Sequence, residues 1–184
     1  MANTTSASLK LTVQATGENS GTWGQITNTN LLILEQAIGG YDDIGVTSGA
    51  TLTFSNGVLS NGKNQVLKLI GTIAGAVNVV IPDGIEKTYI VENATTGAHS
   101  VTFKTSSGTG ATFGATDKGN KIVYSDGTNI IDVFANQNQI GIFTIPAADG
   151  TSGQAIVTNG SGTLSFATAG ISTGKAIAMA IVFG

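Results

Sequence analysis

Between Ile44 and Phe134 the chain is cut at short intervals by Asn-Gly and Asp-Gly pairs, at Asn56-Gly57, Asn61-Gly62, Asp83-Gly84 and Asp126-Gly127. Both residues of such a pair tolerate positive φ, which tight turns between strands demand. The runs between them are rich in Val, Ile, Thr and Phe. They predict strands at Thr51 to Phe54, Gln65 to Ile70, Ala76 to Ile81, Thr88 to Glu92, Ser100 to Lys104, Lys121 to Tyr124 and Asn129 to Val133. Short strands at this spacing point to a mainly β chain, a β-sandwich or small barrel. Beyond Asp132, Asp149-Gly150 and Asn159-Gly160 continue the pattern, with strands expected at Gln139 to Ile145, Gln154 to Thr158 and Thr163 to Ala167. The expected organisation is a strand-helix segment over 1–43, a β-sandwich domain over 44–136, and a C-terminal β segment over 137–184.

The last of these segments constrains assembly. Read as a strand, Ala176 to Phe183 puts Ile177, Met179, Ile181 and Phe183 on one face, and Ala176, Ala178, Ala180 and Val182 on the other. A strand apolar on both faces must be buried on both. With few local partners, part of that cover is expected from another subunit, so the chain is expected to work as an oligomer.

One helix is predicted, over Thr22 to Ile38, with Ser20 or Thr22 as cap and Gly39-Gly40 as stop. Trp23, Ile26, Ile33, Leu34, Ala37 and Ile38 are read as one apolar face, interrupted by Asn30. A polar residue in such a seam either fixes register between associating helices or points to solvent at the stripe's edge. The candidate oligomer interface is therefore Trp23, Ile26, Asn30, Ile33, Leu34 and Ile38 with Ile177, Met179, Ile181 and Phe183. Trp23 either anchors the helix to the fold or stacks on a sugar ring, the first being the ordinary reading. Leu9, Leu11 and Val13 alternate as a short strand. The first ten residues are expected to be loose or to pair with a neighbouring subunit.

Charged residues make up 10% of the 184, against about 25% in ordinary soluble domains. A surface solvated by hydroxyls and amides suits a protein packed against copies of itself or other coat proteins. The net charge is −3, and the cations are all lysines without a cluster, so no nucleic-acid partner is expected. The absence of cysteine excludes disulfides and thiolate metal sites. Met1 to Lys10 lacks an apolar signal core, and no apolar run approaches the roughly 20 residues of a membrane span. Synthesis in a cytoplasm without membrane insertion is expected.

No catalytic constellation is found, so no enzyme activity, cofactor or metal is expected. His99 has no second histidine to share a metal and no partner base. Gly-x-Ser-x-Gly in a strand-to-helix setting is missing. Asp83, Glu86, Asp117, Asp126 and Asp132 could supply paired carboxylates, but all lie in or beside turns, where Asp already has a structural task. Sequons occur at Asn3, Asn93 and Asn159 in a chain rich in Asn and Thr.

The stretch SLKLTVQATGENSGTWGQITNTNLLILEQAIGGYDDI, Ser8 to Ile44, resembles the N-terminal segment of tail-fibre and virion structural proteins of tailed bacteriophages, particularly marine ones infecting cyanobacteria. So do VLSNGKNQVLKLIGTI, IPDGIEKTYIVENATTGAHSVTFKT and DKGNKIVYSDGTNIID, while GTSGQAIVTNGSGTLSFAT looks like an element of phage fibre shafts and tips. The resemblance implies a fibre-like homotrimer located in the virion, with other proteins of the tail or capsid as partners. The favoured reading is a tail-associated structural fibre or appendage. The alternatives are a capsid-attached decoration protein and an adhesin that binds host-surface polysaccharide through Thr95 to Ser100 and Ser106 to Gly110.

Overall fold

The structure, a computed structural model, describes residues 2–135, 139–170 and 173–183. The chain is mainly β and divides into two compact units at Ala135 and Asn136.

The first unit begins with a two-strand pair, β1 (Thr4–Thr5) and β2 (Thr12–Val13), joined antiparallel. Thr4 and Thr5 therefore find a strand partner within their own chain. Helix α1 (Trp23–Gly39) follows. Leu, Ile, Gln, Glu and Ala between 31 and 38 are adequate helix formers. At its end Gly40 turns to extended backbone, and its N–H still reaches the Gln36 carbonyl at 2.9 Å. A side chain at Gly40 would lie 2.3 Å from that carbonyl and 2.4 Å from the Asn64 Oδ1, so only glycine fits there.

Strands β3 (Tyr41–Gly45), β4 (Ala50–Thr51), β5 (Val66–Ile70), β6 (Val77–Ile81), β7 (Glu86–Asn93) and β8 (Val101–Thr105) alternate between two sheets. In the first sheet Tyr41 lies beside Val66 and Val66 beside Ile90, both pairings parallel. In the second, Ala50 lies beside Val79 and Val79 beside Phe103, again parallel. The chain thus winds three times through both sheets, each turn stacking on the one before, as in a β-solenoid. The antiparallel strands β9 (Gly110–Phe113), β10 (Asn120–Asp126) and β11 (Ile130–Asp132) close it, giving the orders β11-β10-β7-β5-β3 and β4-β6-β8-β9.

Asp126-Gly127 makes the hairpin expected of it, between β10 and β11. Asp83-Gly84 does not. It carries the chain from β6 in one sheet to β7 in the other, and the Gly84 N–H bonds the Gly127 carbonyl at 2.7 Å. The turn chemistry is the same, because a solenoid corner also needs positive φ, and Gly84 has φ of 76°. The corner after β7 is tighter. Gly97 has φ of 95°, and a Cβ there would stand 2.3 Å from the Ile73 carbonyl of the turn beneath. Buried Asn93 holds this corner, accepting from the Thr95 N–H and hydroxyl and donating to the Asp117 carbonyl. On the outside, the Thr72 and Thr96 hydroxyls stack at 2.8 Å.

Alternate residues of both sheets point inward and make one core. Leu67, Leu69, Tyr89 and Val91 come from the first sheet, and Val79, Ile81, Val101 and Phe103 from the second; all are fully buried. Each such side chain contributes about 1.5–3 kcal/mol by leaving water. Tyr89 and Phe103 meet edge to face at 5.2 Å, and the Tyr89 hydroxyl donates to the Gly62 carbonyl.

The second unit holds two hairpins and a helix. Strands β12 (Gln139–Ile140) and β13 (Phe143–Thr144) pair across a turn at Gly141, and β14 (Gln154–Thr158) pairs with β15 (Leu164–Thr168). The Thr144 N–H reaches the Gly162 carbonyl at 2.7 Å and ties the hairpins together. Residues 173–183 form helix α2 (Thr173–Phe183), not the strand expected from 176 onward. An apolar run of this length reads alike as a doubly buried strand or a buried helix. Ala176, Ala178 and Ala180, the best helix formers, tip it to a helix. Ile177, Met179, Ile181 and Phe183 then no longer share one face: every second residue of a helix is about 200° away, so Ile177 and Ile181 lie on one side and Met179 and Phe183 on the other.

Candidate interaction surfaces

Helix α1 presents two stripes. Ile26, Asn30, Ile33 and Ala37, at spacings of four, three and four, face the first unit, and Ile33 is wholly buried. Trp23, Leu31, Leu34 and Ile38 face water, with Trp23 65% and Ile38 78% exposed. The single apolar face expected from the sequence is therefore split. Ile33 and Leu34 are consecutive and so about 100° apart on the helix, and only one of them can point inward.

Asn30 belongs to the inner stripe. Its amide accepts from the Thr12 N–H at 2.9 Å and donates to the Thr12 carbonyl at 2.8 Å. Both halves of the side chain hold β2, so Asn30 has a task within its own unit. Ile26, Asn30 and Ile33 are thus bound within their own unit. Trp23 does not anchor the helix start.

Lys87 fixes the other end of α1. Its ammonium donates to the Ala37 carbonyl, the Gln65 Oε1 and the Thr88 carbonyl, and stands 4.7 Å from the centre of the Tyr89 ring. Burial pulls its pKa down to about 8. Beside this end of the helix an open hollow of about 380 Å³ is walled by Leu32, Tyr41 and Leu59, with Glu35, Gln36 and Asn64 at its polar side.

A second apolar surface lies on the outer face of the five-stranded sheet. Register aligns Tyr41, Val66, Ile90 and Ile122 in one row across four strands. Tyr41 and Ile122 are exposed, and Val66 and Ile90 half-buried. The neighbouring row, Asp43, Lys68 and Glu92, is charged, and Lys68 pairs with Glu92 at 3.3 Å.

The second unit differs in kind. No described side chain in it reaches the buried class. Cross-strand partners Ile156 and Phe166, with Leu164, make an apolar face of the β14–β15 hairpin, and Ile156 is 57% exposed. On α2, Ile177, Met179, Ile181, Val182 and Phe183 are all exposed, Phe183 at 82%. The interface candidates Ile177, Met179, Ile181 and Phe183 are thus uncovered in a single copy, and Val182 and Ile156 join them.

The carboxylates weighed for chemistry hold turns. Asp126 accepts from the Asn129 and Thr128 N–H groups, which keep its pKa below the usual carboxylate range. Asp83 is lowered in the same way by the Ser107 N–H. Lys121 lies between Asp132 at 2.9 Å and Asp117 at 3.5 Å. Burial opposes the charge on Asp132, but Lys121 and the Phe134 N–H together keep its pKa low. His99 sits half-buried at the corner between β7 and β8. Among the described residues no group of three His, Asp or Glu could hold a metal ion, and no helix is long and apolar enough to cross a membrane.

The two loops weighed for sugar binding flank β8 at its opposite ends, about 15 Å apart at the rise of a five-residue strand. Several of their polar groups are engaged internally. Thr95 bonds Asn93, the Thr109 N–H and hydroxyl both bond Asn129, and the Ser106 hydroxyl bonds the Ile81 carbonyl. Of the sequons, Asn93 is fully buried and is no acceptor for a glycan.

No protein-family model, no curated protein and no solved structure matches the chain.

Proposed function

We propose that this protein is a structural, non-enzymatic subunit of a tailed-bacteriophage particle, a tail-associated fibre or appendage protein assembling as a trimer. The observation that carries the assembly half is the second unit. None of its described apolar side chains is fully buried, and Ile156, Val157, Ile177, Met179, Ile181, Val182 and Phe183 are exposed; an exposed apolar surface of this kind marks an association site. The virion half rests on the sequence resemblance from Ser8 onward and on a surface of hydroxyls and amides with few charges.

Function in this reading is assembly. Apolar area covered between chains, at roughly 25 cal/mol per Å², supplies the stability that the second unit's own packing lacks. The solenoid gives each subunit a rigid body whose corners are closed by internal hydrogen bonds. The internal bonds of Thr95, Thr96, Ser106 and Thr109 favour the reading of these loops as structural corners over the alternative of a glycan-binding surface.

The test is location. Gold-labelled antibody against the solenoid should decorate purified particles at a fixed place on the tail, and the chain should appear in the denatured particle at constant ratio to the major coat protein. Particles that lack the chain, while infected cells contain it, would contradict the proposal.

A further inference from the structure

Helix α1 carries a second apolar stripe that its own unit does not use. Gly24, Thr27, Leu31, Leu34 and Ile38 follow one another at spacings of three, four, three and four. That is the 3.5-residue repeat of a coiled-coil seam, distinct from the inner stripe that packs on the solenoid. Thr27 accepts the Gln14 amide at 3.1 Å, so the uncovered part runs from Leu31 to Ile38, with exposures of 58%, 36% and 78% at Leu31, Leu34 and Ile38. Trp23 lies about two turns before Leu31, on the same side of the helix.

We infer that the α1 helices of neighbouring copies pack against one another along Leu31, Leu34 and Ile38. The inference rests on the trimer reading and names a second contact within that assembly. Three features point to another copy as occupant. The 3.5 repeat matches its own kind, since identical seams interdigitate when related by rotation. Glu35 is the only charged residue on the helix, so identical helices can approach with little like-charge opposition. Covering Trp23, Leu31, Leu34 and Ile38 removes on the order of 500 Å² per chain, below the ~800 Å² per partner of a self-sufficient interface. The seam is therefore a supplementary contact that forms once copies are already held together. Helices meeting at a three-fold axis run parallel.

The chain contains no cysteine, so single cysteines report contact cleanly. Leu34→Cys and Ile38→Cys full-length chains, oxidised mildly, should give disulfide-linked pairs on a denaturing gel, while Gln25→Cys, exposed but off the seam, should stay single. Light scattering of the same samples before oxidation separates the two ideas. An oligomer whose Leu34→Cys and Ile38→Cys chains do not link, or link no faster than Gln25→Cys, would overturn the α1 contact and leave the trimer standing. A single-copy mass would overturn both.

Discussion

The two units solve the same problem in opposite ways. The first has a closed core from Ile44 to Ile130, with Leu67, Tyr89, Val91, Phe103 and Phe113 fully buried. The second, built from hairpins and a helix of comparable apolar content, buries none of its described side chains. The difference lies in stacking. Each solenoid turn covers the one beneath it, so that three turns and a closing hairpin enclose an interior. The two short hairpins of the second unit, tied by the Thr144–Gly162 bond, leave none of its described side chains fully buried, and small hairpins are marginal in water. One unit encloses a core of its own, whereas the other, on the proposed reading, is completed by neighbouring copies.

The largest effect expected from this contrast is on separated halves. Residues 1–135 should unfold cooperatively in urea as a single copy, whereas residues 136–184 alone should show no cooperative transition by circular dichroism. Next in size is a comparison of two phenylalanines. Phe103→Ala, in the solenoid core opposite Tyr89, should cost about 3–5 kcal/mol and move the urea midpoint of the full chain independently of its concentration. Phe166→Ala, on the open hairpin face, should leave that midpoint in place and instead raise the concentration at which the oligomer dissociates, read by analytical ultracentrifugation.

The smallest effect is with pH. The Lys87 pKa is about 8 in the folded chain and 10.5 when unfolded, so between these values the unfolded chain binds the extra proton. Its burial penalty is complete below about pH 8 and is relieved as pH rises toward 10.5. Stability of the first unit should climb across that window, and Lys87→Met should flatten the climb in urea titrations from pH 7 to 10.

The strands at 66–70, 77–81 and 101–105 could be read from the chain because alternation marks a half-buried strand wherever it lies. The partner of each strand could not. Alternation tells which side chains face inward, but not whether the neighbour is the next strand or one 24 residues on, and Asp83-Gly84 serves a corner as well as a hairpin. Strand β9 is four residues with one glycine and gave too short a pattern to separate from the loop before it. Strand β3 carries Asp42 and Asp43, which hide its alternation. At the surfaces, Trp23, Leu34 and Ile38 were legible as apolar helix positions, but their direction was not. That depended on Asn30 reaching Thr12, a contact across 18 residues that no local pattern announces. The apolar character of 176–183 was plain, yet periodicity alone could not choose helix over strand.

The most direct test of this division of labour is hydrogen exchange on the full chain, with its mass in solution measured alongside. The account expects a particle of three times 18.5 kDa, in which Val79, Val91 and Phe103 amides stay protected on dilution while those of Ile156 and Phe166 lose protection as the oligomer dissociates. An 18.5 kDa single copy with Ile156 and Phe166 as protected as Phe103 would contradict it.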